Sequence, residues 1–253
     1  MAAPAAAVAV GATDDRRKLT MQEIPINGLS GLYYLPGYFD REGQEQLLAH
    51  IRAIVAEAPL FQPVMPKTGK PFSVRMSNCG PLGWVSDIQG YRYQPAHPET
   101  GRPWPAMPDA LTHLWKEVAG TAPPPEACLI NFYDPNARMG LHQDRDEQMF
   151  EAPVVSISLG DTATFRVGGV NRKDPTKSFR LQSGDVVVLG GEARLVFHGI
   201  DRVLKGTSTL LKKRRPDQPD PSAGHGGIEM RVQPVSQLET VFIVLPGSPD
   251  CTA

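Results

Sequence analysis

No stretch of this 253-residue chain approaches the roughly 20 consecutive apolar residues of a membrane-spanning helix, so no membrane partner is expected. Cysteine is scarce. Cys79, Cys128 and Cys251 are odd in number and form no Cys-x-x-Cys, which argues against a zinc knuckle and against a disulfide framework. A reducing, cytoplasmic setting fits, with Cys79 and Cys128 as small core residues. The Ala-rich start from Met1 to Val10 lacks the charged beginning and long apolar stretch of a secretory signal, and residues 1–22 read as a disordered tail. Neither sign of charge is in excess: 26 Lys and Arg stand against 27 Asp and Glu, a net charge of −1. Any polyanion would therefore have to meet a local patch. Internal repeats are absent. What is there is a chain 41% hydrophobic and long enough to bury a full core, as one domain with extensions.

Two helices are legible. Leu47, Leu48, Ile51, Ile54 and Val55 share one helical face, and Asp40 ahead of them suits an N-cap. A second helix is expected from Pro108-Asp109 through Leu111, Leu114, Trp115 and Val118, stopping at Gly120. Between them, residues 72–104 are rich in Pro, Gly and aromatics and read as hairpins and loops that cover something. After Pro125 short strands follow at 128–133, 139–144, 154–159, 164–167, 178–181, 185–189 and 195–198, divided by turn signals such as Gly168-Gly169 and Gly190-Gly191. No helix-length connection separates them, which disfavours a parallel βαβ layout. The expected fold is mainly β with flanking helices. Its double-stranded β-helix (jelly-roll) core spans 121–240 with a basic loop at 212–227. An N-terminal extension at 23–120 carries the helices and a lid region, and 241–253 form a C-terminal tail.

His142-Gln143-Asp144 and the distant His198 carry the chemistry. Two imidazoles and one carboxylate can fill one face of an octahedral Fe(II) and leave the other open. Residues two apart on an extended segment point to the same side, so His142 and Asp144 can grip one ion while His198 arrives from another strand. Taken alone, the same residues also suit a surface histidine beside the acidic run 144–147.

The surrounding segments are more specific. Asn131-Phe132-Tyr133, Leu141 through Glu147, Ser156-Ile157-Ser158-Leu159-Gly160, Gly184 through Val188 and Phe197-His198-Gly199-Ile200 resemble the AlkB family of Fe(II)/2-oxoglutarate dioxygenases. Met76-Ser77-Asn78-Cys79-Gly80, Leu82-Gly83-Trp84, Gly90-Tyr91 and Pro103 through Pro108 are similar to its bacterial DNA-repair branch. The resemblance runs from about Leu32 to Leu211. It implies iron ligation by His142, Asp144 and His198, and 2-oxoglutarate contacts from Asn131 and Tyr133. Trp84 and Tyr91 would form a nucleotide-recognition lid, with Asp146 and Arg172 shaping base recognition. Without it, Tyr133 is a core aromatic, Trp84 and Tyr91 are hairpin packing, Asp146 is a solvated charge and Arg172 a turn residue. Arg166, Lys173, Lys177 and Arg180 are candidates for meeting phosphates.

The implied reaction takes 2-oxoglutarate and O2 as cosubstrates, giving succinate and CO2. It hydroxylates an N-methyl group on a base such as 1-methyladenine or 3-methylcytosine, which is then lost as formaldehyde. The implied partner is alkylated DNA, with RNA as a second polymer, acted on by a monomer. Two other readings stand beside it: a related hydroxylase acting on RNA or protein, and a non-catalytic nucleic-acid-binding jelly roll with impaired 2-oxoglutarate binding.

One departure supports the last of these. The family has two arginines six positions apart on its last barrel strand, one of them anchoring the distal carboxylate of 2-oxoglutarate. The corresponding segment here, Gly226 to Pro234, holds only Arg231, with His225 six residues before it; Arg214 and Arg215 lie in the basic loop. Arg231 is the expected anchor, since a guanidinium forms two parallel charge-assisted bonds to a carboxylate. A divergent or frame-shifted C-terminus, or weak cosubstrate binding, remain the alternatives.

Overall fold

The computed structural model describes residues 21–134, 136–147, 149–210 and 240–245. In chain order its elements are β1 (Gln22–Glu23), β2 (Leu32–Leu35), α1 (Arg41–Glu57), β3 (Arg75–Cys79), β4 (Gly83–Asp87), β5 (Gly90–Gln94), α2 (Asp109–Val118), β6 (Cys128–Phe132), β7 (Met139–His142), β8 (Val154–Gly160), β9 (Thr162–Val167), β10 (Lys177–Leu181), β11 (Val186–Leu189), β12 (His198–Leu204) and β13 (Thr240–Leu245). Among them, no helix is long and apolar enough to cross a membrane.

The helices form where spacing and capping place them. The Asp40 carboxylate accepts from the Gly43 amide at 2.9 Å and satisfies an otherwise orphaned donor of the first turn. Leu47, Leu48, Ile51 and Ile54 are buried on one face of α1, and Leu111, Leu114 and Trp115 on one face of α2. Both faces pack on a seven-stranded sheet of order β1-β2-β11-β8-β13-β6-β3. A four-stranded sheet, β10-β9-β12-β7, lies against its other side through a second apolar layer that includes Phe165, Val167, Val187 and Leu189. Every pairing between these strands is antiparallel, giving the expected jelly roll with helices behind its larger sheet. A separate antiparallel hairpin, β4–β5, occupies the region expected to form the lid.

Three expectations change. The strand expected at 195–198 is a connection: Gly191–Ala193 form one 3₁₀ turn, the Phe197 amide and carbonyl bond to Gly169 and Gly168, and His198 opens β12 instead of closing a strand. Its apolar residues Leu195 and Val196 mimic a strand because the connection itself runs through the core. The boundary after residue 240 also moves, since Thr240–Leu245 is hydrogen-bonded between β8 and β6. Its run of Thr, Val, Phe, Ile, Val and Leu suits a strand paired on both edges. Third, β2, a short run on which the sequence reading placed no strand, pairs with β11, and β3, within the expected hairpins and loops, joins the main sheet beside β6. Arg231, Arg214, Arg215, His225, the basic loop at 212–227 and residues 1–20 lie outside the described residues.

Candidate metal centre

The metal centre begins as a matter of register. His142, the last residue of β7, is the direct cross-strand partner of His198, the first of β12, and their ring centroids are 4.5 Å apart. Asp144 follows two residues beyond the strand end. Its Oδ1 lies 3.5 Å from His142 Nε2 and its Oδ2 3.3 Å from His198 Nε2. The ligand atoms of all three residues fall within 4.8 Å of one another.

Both imidazoles are aimed from behind. His142 Nδ1 donates to the Gly140 carbonyl at 2.9 Å, and His198 Nδ1 to the Val196 carbonyl at 3.1 Å. Each bond fixes the tautomer that turns an Nε2 lone pair toward Asp144. Phe165 stacks on His198 at 5.9 Å and limits its rotation. Asp144 Oδ2 is buried without a hydrogen-bond partner; its 3.3 Å approach to His198 is an ion-pair distance rather than a directed bond. Three lone-pair donors converging on one point, one of them otherwise unsatisfied, fit a cation.

The electrostatics agree. Burial alone would raise the Asp144 carboxyl, but the two imidazoles outweigh it and hold it well below the usual carboxylate range. Burial likewise opposes charge on His142, yet the Asp144 carboxylate and the Gly140 carbonyl lift its pKa above the ordinary imidazole value. Without a metal, the Asp144 carboxylate favours a proton on His142 at the place where a cation fits.

Supporting residues that the sequence reading missed hold this loop. Gln143 Nε2 donates to the carbonyls of Leu195 and Val170, at 2.5 and 3.2 Å, tying the His-x-Asp segment to the run that delivers His198. Arg194 donates to the carbonyls of Asp144 and Ala152, at 2.7 and 2.8 Å, and to the Glu147 carboxylate at 3.1 Å. The two side chains are 2% and 4% exposed. Glu147 also accepts the Tyr93 hydroxyl at 2.7 Å, and its pKa is raised, first by burial and then by the charge of Asp144. The available signal was an arginine inside the apolar run 193–197.

The residues expected to form a lid gather beside this loop. On β4, Trp84 stacks on Tyr91 of β5, with ring centroids 5.5 Å apart and planes 20° apart. The Trp84 indole N–H donates to Asp146 at 2.9 Å, and its backbone is clamped from both sides by the Asn78 amide. Trp84, Tyr91 and Asp146 are therefore one group. Arg172 sits in an exposed turn with its guanidinium 5.1 Å from the ring centre of Phe197, next to His198. Tyr133 and Asn131 are buried between the sheets. Burial and the Asp144 charge push the Tyr133 hydroxyl pKa up, so it stays a donor, while Asn131 Oδ1 has no hydrogen-bond partner. Of the expected phosphate contacts, Arg166 is paired with Asp201 at 2.9 Å and Lys177 donates to the Pro25 carbonyl; Lys173 and Arg180 are exposed.

Comparisons with known proteins agree on one family. The pattern of the 2OG-Fe(II) oxygenase superfamily matches residues 31–218. The chain is 53% identical over 195 residues to the alpha-ketoglutarate-dependent dioxygenase AlkB homolog of Caulobacter vibrioides, covering 77% of this chain and 88% of that protein. It is 48% identical over 170 residues to the alpha-ketoglutarate-dependent dioxygenase AlkB of Escherichia coli K12, covering 66% and 78% respectively. The solved structure of OsALKBH1 superposes with a TM-score of 0.69 at 25% identity, covering 90% of this chain and all of that one.

Proposed function

The chain belongs to the AlkB family of 2OG-Fe(II) oxygenases, and from that premise we propose that it removes alkyl groups from the nitrogens of nucleobases in DNA, with RNA as a second substrate. It is an Fe(II)/2-oxoglutarate-dependent dioxygenase. The observation that carries the assignment is the convergence of His142, Asp144 and His198 beside the Trp84–Tyr91–Asp146 group.

His142, Asp144 and His198 would hold the iron, with 2-oxoglutarate and O2 as its cosubstrates. Bound there, the group supplies an oxidation that hydroxylates the N-alkyl carbon, after which the carbon leaves as an aldehyde. The protein's share is placement. Tyr133 and Asn131 offer a hydroxyl and an amide to the cosubstrate inside the barrel. A base must leave its stack to reach a buried metal, and flat side chains then sandwich it. Trp84, stacked on Tyr91, presents an indole face that suits a cationic methylated base through the ring quadrupole. Asp146, fixed by the indole N–H, places a carboxylate near that base and favours the positive lesion over its neutral counterpart. His142 is a second flat surface. Arg172 lies at the rim, where it would meet the flipped nucleotide.

The whole site is built from one chain, so a monomer suffices, and the free thiols of Cys79 and Cys128 fit a cytoplasmic setting. The test is to incubate the Fe(II) protein with 2-oxoglutarate and an oligonucleotide carrying 1-methyladenine or 3-methylcytosine. Formaldehyde and unmodified base are expected in equal amounts. Binding of the oligonucleotide without either product would replace this reading by that of a non-catalytic binder.

A further inference from the structure

The β4–β5 hairpin pairs with neither barrel sheet, so something other than strand pairing must fix where it stands. Trp84 and Tyr93 are direct cross-strand partners, and such partners project from the same face of a hairpin. Both send a donor to the metal loop. The Trp84 indole N–H donates to Asp146 at 2.9 Å, and the Tyr93 hydroxyl to Glu147 at 2.7 Å. Asp146 and Glu147 are consecutive, so the loop grips the hairpin at two neighbouring points.

The two grips are unequal. Asp146 is exposed, and water competes for its carboxylate. Glu147 is 5% exposed, and a hydroxyl bonded to a buried carboxylate is among the stronger hydrogen bonds a protein makes. Burial, and then the Glu147 charge, holds the Tyr93 hydroxyl pKa well above its ordinary value, so the group stays a donor. Glu147 also passes the connection on. Its other oxygen accepts from Arg194 at 3.1 Å, and Arg194 donates to the Asp144 carbonyl at 2.7 Å. Three consecutive bonds thus lead from the hairpin to the backbone of a metal-ligand residue, and a buried, satisfied network of this kind stiffens what it joins.

We propose that Tyr93 is a positioning residue: through Glu147 and Arg194 it fixes the hairpin, and with it a base held by Trp84, at a set distance from Asp144. The proposal rests on the dealkylation reading and assigns the register between base and metal to a hydroxyl already committed to Glu147. Stacking on Trp84 supplies affinity without placing the alkyl carbon. A misplacement of about 1 Å can cost about 100-fold in rate, so the register matters even when the base binds well.

The experiment compares full-length wild type, Tyr93→Phe and Ser86→Ala. Phenylalanine keeps the ring and removes only the hydroxyl. Ser86→Ala deletes another hairpin hydrogen bond, to the Val64 carbonyl at 2.6 Å, outside the metal loop. Each Fe(II) protein is assayed with 2-oxoglutarate, methylated oligonucleotide and ascorbate, the reductant that unproductive turnover consumes, and succinate and formaldehyde are counted separately. Thermal unfolding and Co(II) titration run alongside. Tyr93→Phe is expected to lower kcat for formaldehyde release about tenfold or more while KM for the oligonucleotide stays within about threefold. Succinate per formaldehyde should rise at least about twofold, because cosubstrate is consumed while the base is out of place. Co(II) affinity should be unchanged, and Ser86→Ala should keep the wild-type ratio of products. A wild-type kcat and ratio in Tyr93→Phe overturns the proposal and leaves the dealkylation reading intact. So does a rise in KM alone, which makes Tyr93 a packing residue, or a Co(II) affinity that falls with kcat, which makes it part of the metal loop's own scaffold. Equal uncoupling in Ser86→Ala also overturns it, by making any loosening of the hairpin sufficient. Failure of the wild type itself to release formaldehyde removes both readings.

Discussion

Replacing Glu147 by leucine should unsettle the metal loop from a distance. Arg194 is 2% exposed and directs three bonds inward, to the Asp144 carbonyl, the Ala152 carbonyl and Glu147. Removing Glu147 leaves a buried guanidinium without its counter-charge, and breaking a buried pair from one side costs about 3–5 kcal/mol. Arg194 keeps two carbonyl partners, so the lower end, about 3 kcal/mol, is expected. In a domain of this size that is a fall of roughly 6–12 °C in melting temperature. The loss is mostly a stranded charge, so the double variant Glu147→Leu with Arg194→Met should recover much of it. Metal binding should not recover, because Arg194 is also what holds the Asp144 backbone; outer-shell losses of this kind cost about 10–100-fold in affinity. Thermal unfolding and Co(II) titration of the two single variants and the double variant form a complete cycle. Additive losses in stability, or a double variant with wild-type metal affinity, would refute the reasoning.

Metal binding should strengthen with pH. The His142 pKa is raised in the metal-free protein, so its imidazolium stabilises the fold below the unfolded-state value, and that contribution is lost as pH rises through the folded value. A metal ion must displace this proton, whereas Asp144, held low, is already ionised. Mn(II) affinity should therefore climb from about pH 6 to about pH 8 with measurable proton release, and a flat profile in buffers of different ionisation enthalpy would contradict it. Trp84→Ala should raise the KM for methylated oligonucleotide by roughly 5–150-fold, the equivalent of about 1–3 kcal/mol of stacking, and leave 2-oxoglutarate binding unchanged. Parallel changes in both constants would make Trp84 a packing residue. Asp146→Asn should cost most on cationic lesions, and an equal loss on a neutral alkylated base would count against a charge-based role.

Much of this was legible in the sequence, for identifiable reasons. Asp40 and the Leu47-Leu48-Ile51-Ile54 spacing announce α1 because capping and amphipathic period are local. His142 and Asp144 are two apart at a strand end, so their convergence is local as well. His198 could be named from its flanking motif, but its position at the start of β12 depends on how the 190–197 connection packs. Arg194 stands out only as an arginine inside an apolar run, and Glu147 looks like a surface charge; their mutual burial is a tertiary fact. The insertion of β13 between β8 and β6 was equally hidden, because a short continuous apolar run carries no alternation by which to recognise a strand.

The metal centre finally depends on how closely β7 can approach β12, and one glycine controls that distance. A Cβ on Gly199 would lie 2.5 Å from the Met139 carbonyl oxygen and 2.8 Å from that of Gly140, contacts that only a backbone shift can relieve. The Gly140 carbonyl is also the acceptor that orients His142. Gly199→Ala should therefore push β7 outward and carry His142 away from His198, with no metal ligand altered. Overpacking of this kind costs about 1–3 kcal/mol. Gly140 faces it across the pair and has nothing within 4 Å of its own Cβ position. Gly140→Ala should gain about 0.5–1 kcal/mol, the usual reward for replacing a strand glycine. Two alanines on the same pair of strands are thus expected to move stability in opposite directions, with Co(II) affinity falling only for Gly199→Ala. If both substitutions raise the melting temperature and both proteins bind Co(II) as wild type does, close strand approach is not what sets the ligand geometry.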